Sequence, residues 1–193
     1  MPLDSPMHKA CGKGAISEVA TIITQAADAP AKNALVNAIG AADRTPLHRA
    51  AGGNYAMIVQ LLLDNGATVD ATDKAGRTPL LWACIGGHEA PCQKLLEQGA
   101  NPNAATKSGM SAMHAAVTGG HLNCVKLLIW FGQEKGNEVD FAVQSDGKTA
   151  LELAKEKKHE KVANVIAFKL KHGTVKQEDL DDAEAGSAAC VVS

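Results

Sequence analysis

The chain has 193 residues, 46% of them apolar but only 3% aromatic, so one domain must build its core from Leu, Ile, Val and Ala. A formal net charge of −2 argues against nucleic acid or an anionic membrane as the main partner. No stretch approaches the roughly 18 apolar residues of a transmembrane helix, and no signal peptide is recognised; five widely spaced cysteines then read as reduced thiols in the cytoplasm or nucleus.

Taken in order, the chain repeats itself. Ser5-Pro6-Met7-His8 opens a first copy, closed by the apolar pair Ile22-Ile23 and then Ala26. An excess of seven residues follows at Asp28–Val36, including Pro30, and is expected to be loop. Gly40-Ala41-Ala42-Asp43 stands where the next copy has Asp73-Lys74-Ala75-Gly76, so Asp43 occupies a turn position made for Gly and should strain or reshape it. Thr45-Pro46-Leu47-His48 opens the second copy, with Leu62-Leu63 and Gly66 at its end. Thr78-Pro79-Leu80-Leu81 lies 33 residues further on, with Leu95-Leu96 and Gly99, and Ser111-Ala112-Met113-His114 another 33 on, with Leu128-Ile129 and Gly132. An excess of five around Gln133–Asp140 precedes Thr149-Ala150-Leu151-Glu152, whose apolar pair is Ile166-Ala167.

Each copy predicts two helices and a turn. Ser or Thr caps the first helix by accepting from a free backbone N–H, and Pro fits its first turn. Gly14, Asn54, Gly87 and Gly120, residues that tolerate positive φ, end it. A second helix with apolar residues at helical spacing, such as Ile58, Leu61 and Leu62, completes the unit.

Thr45-Pro46-Leu47-His48-Arg49-Ala50-Ala51, Leu62-Leu63-Asp64-Asn65-Gly66-Ala67 and Gly76-Arg77-Thr78-Pro79-Leu80 resemble the ankyrin repeat. The resemblance implies an all-α solenoid of stacked helix-turn-helix units with β-turn fingers. The units fall at about 5–36, 37–69, 70–102, 103–140 and 141–172, within a domain spanning 1–173, and the first and last act as caps. Residues 174–193 are expected to form a disordered, acidic, flexible tail.

The resemblance also implies that partners touch the finger tips and the exposed side of the first helices. Carried onto this chain, those positions include Arg44, Arg49, Lys74, Arg77, Trp82, Ile85, Lys107, Met110 and Lys148. A central Trp rimmed by Arg is the composition of a protein-interface hot spot, and the basic row would steer an acidic partner. The bland alternative is an ordinary solvated face. The resulting expectation is a monomeric, non-catalytic adaptor that binds a protein in its concave, partly basic groove without a cofactor. An inhibitor or assembly chaperone docking on an enzyme is the further alternative.

Other chemistry is weakly indicated. His48 and His114 read as structural imidazoles bonded to the neighbouring turn. Cys84, His88 and Cys92 are spaced by four, but Gly86-Gly87 breaks the helix between them and no fourth ligand is near, so metal binding is not favoured. Gly12-Lys13-Gly14 lacks the spacing of a phosphate loop, and no nucleophile–base constellation stands apart from the repeats. The final Cys190-Val191-Val192-Ser193 matches a prenylation signal, which would give a farnesylated peripheral membrane scaffold. The alternative is a plain terminus, since the upstream segment is acidic and a single lipid anchors weakly. A last expectation is that Glu178-Asp179-Leu180-Asp181-Asp182 folds back on the basic groove.

Overall fold

A computed structural model describes residues 3–184. Five helix pairs follow one another: α1 (Pro6–Lys13) with α2 (Ile16–Thr24), α4 (Pro46–Gly52) with α5 (Ala56–Asp64), and α6 (Pro79–Gly86) with α7 (Glu89–Glu97). Then come α8 (Ala112–Thr118) with α9 (Leu122–Glu134) and α10 (Ala150–Glu156) with α11 (Glu160–His172). Two helices lie outside the pairs, α3 (Ala29–Val36) and α12 (Gln177–Glu184). The described residues contain no strand, only isolated bridges in the fingers, Ala105 to Ser111 and Ser145 to Lys148.

The first helices form one layer, α1 against α4, α4 against α6, α6 against α8 and α8 against α10. The second helices form the other, running α2, α5, α7, α9, α11. Small residues make the close stacking of the first layer: Ala10, Cys11, Ala50, Ala51, Ala83, Cys84, Ala116 and Ala154 are fully buried. Val19, Ile58, Leu62, Leu95, Leu128 and Ile166 fill the space between layers.

The same local chemistry starts four of the five first helices, while Thr78 caps α6 by accepting from the Leu81 amide alone. Ser5, Thr45, Ser111 and Thr149 close capping boxes with His8, His48, His114 and Glu152, three residues on. The His rings do more than cap. Nδ1 of His48 accepts from the Thr45 amide at 3.1 Å, so the proton sits on Nε2, which donates to the Arg77 carbonyl of the next finger at 2.9 Å. His8 reaches the Arg44 carbonyl and His114 the Val143 carbonyl in the same way. Gly14, Asn54, Gly87 and Gly120 all take positive φ at the ends of first helices, as their types imply. Lys158 does so in the last pair, where no residue type announced it.

A second set of imidazoles ties each pair to the one before. His88, His121 and His159 stand at the starts of α7, α9 and α11, and their Nε2 atoms bond the Gly52, Ile85 and Thr118 carbonyls. Between fingers, the Lys74 amide donates to the Ala42 carbonyl at 2.9 Å.

Three expectations are corrected. The excess at Asp28–Val36 is helical, not loop: Asp28 caps α3 by accepting from the Ala31 amide at 2.8 Å, and Pro30 lies in its first turn. Asn37, just beyond α3, bonds the Gly66 carbonyl and the Thr68 amide, so the insertion clamps the loop after α5. The excess near Gln133 lengthens α9 to 13 residues before the chain turns at Gly136. Most of the acidic segment read as flexible tail is α12, which packs Leu180 and Ala183 against α9 and α11. The reshaped turn is as expected: Ala42 and Asp43 both take positive φ, in a single 3-10 turn over Ala41–Asp43.

Candidate partner-binding groove

The finger before α6 is built by Asp73. Its Oδ1 accepts from the Ala75 and Arg77 amides, both at 2.9 Å, closing the turn. Its Oδ2 accepts from the Arg77 guanidinium at 2.9 Å and from the Trp82 indole N–H at 3.1 Å. One buried carboxylate therefore fixes the turn, the arginine four residues on and the tryptophan nine residues on. Burial pushes this carboxyl's pKa up, but the hydrogen bonds from Arg77, Trp82 and Ala75 outweigh it and hold the pKa below the usual value.

Trp82 projects from α6 and is half-buried between two cations. The Arg77 guanidinium carbon lies 4.4 Å from the indole ring centre and that of Arg44 lies 4.6 Å away. Each such contact contributes about 0.5–2 kcal/mol. The ring passes close over α4, where a Cβ on Gly52 would sit 3.1 Å from Trp82 Cε3. Gly52 is thus the space in which the indole lies.

The stagger between pairs explains which residues meet. The residue before a cap contacts the fourth residue after the cap of the next pair. Asp4 meets Arg49 by this rule, with Oδ2 2.5 Å from a guanidinium nitrogen, and Arg44 meets Trp82. Asp4 also accepts from the Ala41 amide at 2.9 Å. Arg44, Arg49 and Trp82 line one cavity of about 210 Å³ together with Gly12, His48, Gly52 and Gly53.

The other sequence-derived positions are spread out. Lys74 and Lys107 are exposed at successive finger tips. Met110 is half-buried and packs on the core, Ile85 is 42% exposed near the end of α6, and Lys148 is paired with Glu156 of its own unit. None of these lines the cavity. Sequence reasoning missed Asp73 and Asp4; the signal for Asp73 was a carboxylate at the first position of a finger followed by Arg four residues on.

The thiols lie elsewhere. Cys84 and Cys92 are buried with sulfurs 3.9 Å apart, while the His88 ring between them in sequence is engaged by the Gly52 carbonyl. Burial pushes the Cys11 thiol up to about 12, so it is an inert core residue. Among the described residues no cluster of three His, Cys, Asp or Glu side chains has the arrangement to hold a metal ion. Cys190 lies outside the described residues.

The acidic helix does not lie on the groove. Lys126 of α9 holds Asp181 at 2.7 Å and Glu184 at 2.6 Å, and Lys161 of α11 holds Glu184 at 3.0 Å. Both lysines belong to second helices, so α12 covers the layer facing away from the fingers. Burial lowers the Lys126 pKa, but its bonds to Asp181 and Glu184 outweigh this and raise it.

Stacked helix pairs, fingers and histidine-bonded caps define a repeat solenoid. The chain belongs to the ankyrin-repeat family: the family model described as ankyrin repeats (3 copies) matches residues 7–106 and again 91–178. No curated protein matches the chain. An ankyrin-repeat domain is a protein–protein interaction module, and members of the family are generally non-catalytic.

Proposed function

We propose that this protein is a non-catalytic adaptor that docks a protein partner with an acidic surface in the groove between the fingers and the first helices. The observation that carries this reading is the Trp82 ring held between Arg44 and Arg77, half-buried and fixed by Asp73. A large side chain locked in one orientation loses little entropy on binding, which is how aromatic and Arg residues come to dominate interfaces. The exposed Lys74 and Lys107 at neighbouring fingertips add attraction for an acidic surface without being anchored themselves.

The test compares the proteins retained by tagged wild type, Trp82→Ala and an outer-layer variant, Asn164→Ala, after confirming equal folding. Asn164 is exposed on α11. Partners that bind the groove are retained by wild type and Asn164→Ala and lost by Trp82→Ala. Retention by all three contradicts the groove reading.

A further inference from the structure

The three arginines around Trp82 differ in what their hydrogen bonds engage. Arg77 is satisfied: its Nε and one terminal nitrogen are each 2.9 Å from Asp73 Oδ2. Arg49 has one terminal nitrogen on Asp4, while its Nε is buried without a partner. Arg44 makes no side-chain hydrogen bond or ion pair among the described residues, and its Nε is likewise buried and unpaired. The reason is in the register. Asp73 precedes Arg77 by four residues, and Gly40 stands in the same place before Arg44, so Arg44 lacks a carboxylate at the position from which Asp73 holds Arg77, and the adjacent Asp43 forms no ion pair with it.

Arg44 is nonetheless held in place, because its guanidinium carbon lies over the Trp82 ring, 4.6 Å from the ring centre. A guanidinium stacked through its face keeps its N–H donors in the plane, where they match the two oxygens of a carboxylate. The cavity beside it is lined by Arg44, Arg49 and Trp82, and Gly12 contributes no side chain to it. Asp4 shows that a carboxylate fits this stretch of the groove, since it already bonds Arg49 there.

We propose that this cavity is an anchor pocket for one carboxylate side chain of the protein partner, bound in the plane of the Arg44 guanidinium and shared with Arg49. This rests on the groove reading above and names the chemistry that the groove recognises. Arg44 is the recognition residue. Arg77 and Asp73 are positioning residues that hold the Trp82 ring against which Arg44 stacks.

The test uses the full chain and a short, end-blocked oligoglutamate peptide at low ionic strength, followed through the Arg Nε–H and Trp indole N–H resonances. Oligoglutamine is the uncharged control and inorganic phosphate the alternative oxyanion. Two variants attack the pocket differently. Arg44→Lys keeps the charge and removes the planar fork. Gly12→Leu adds a side chain to the cavity lining at a residue where a Cβ meets nothing within 4 Å, and folding of the variant is confirmed by circular dichroism. Lys135→Gln, at an exposed residue following α9, controls for long-range charge.

The proposal expects oligoglutamate to shift the Arg44 and Trp82 resonances, and both pocket variants to weaken it by about tenfold or more. Lys135→Gln should bind as wild type, and oligoglutamine should give no shift. Oligoglutamate binding that is absent, or unchanged in both pocket variants, overturns it, as does a phosphate response equal to that of the peptide. The groove reading is judged separately, by partner retention in Trp82→Ala, so either can fail alone.

Discussion

Asp73 links sequence to surface within a single residue. Its carboxylate is buried, yet it accepts two backbone N–H groups, a guanidinium and an indole N–H. Asp73→Ala leaves those donors without their acceptor and should cost roughly 1–3 kcal/mol, measured by urea unfolding. The indole resonance of Trp82 should broaden or move in the same variant, because the ring loses its fixed bond. The pH sign follows from the depressed pKa. The stabilisation is complete above the ordinary carboxylate value of about 3.9 and is lost as pH falls through the lower folded value. Gly52→Ala supplies a second residue-scale check: its Cβ would press on the indole at 3.1 Å, so the ring must shift away from α4 with α6 intact. Trp82 and its arginine neighbours were legible in the repeat register. That Arg44 and Arg77 differ was not read there, although Asp73 and Gly40 hold equivalent register positions; that Asp73 reaches both Arg77 and Trp82 is seen only in space.

At the scale of elements, caps and helix ends were legible and insertions were not. A Ser or Thr before the helix, and a residue tolerant of positive φ after it, are local signals that the stack does not overrule. Residues 29–36 carry no such clarity. Their helicity rests on one Asp28 cap and on the Asn37 clamp to Gly66, a contact 29 residues away in sequence. Helix α12 was misread for a related reason. It is strongly acidic, and acidity alone suggested a solvated tail, but Leu180 and Ala183 form a small apolar seam and Lys126 binds two of its carboxylates. Leu180→Asp should release the helix, seen as faster amide exchange over residues 177–184 with exchange in the α9 core unchanged. The same variant should leave groove affinity unaltered, since α12 lies on the opposite layer. The Lys126 and Lys161 bonds hold the Glu184 pKa below its usual value. Docking of α12 is therefore strengthened above the normal carboxylate range and weakens as pH falls through the depressed value.

Over the whole molecule, repeated histidine bonds join one unit to the next. Burial lowers the pKa of His48 and of His114, outweighing the carbonyl bonds that would raise it. The unfolded chain takes up those protons more readily, near the ordinary value of about 6.5. Stability is therefore full above that pH and declines below it, and the urea midpoint at pH 5 should lie under that at pH 7. The acid loss should spread along the stack, because each ring bridges two units. The proposed groove would seat the partner against Trp82, Arg44 and the fingertips, while α12 occupies part of the layer of second helices. Site-specific photo-cross-linking tests that placement most directly, with the photoreactive side chain placed in turn at Ile85, exposed on α6 three residues after Trp82, and at Asn164, exposed on α11. The account predicts that the partner retained by wild type is covalently captured from position 85 and not from position 164. Capture from position 164 alone would contradict it.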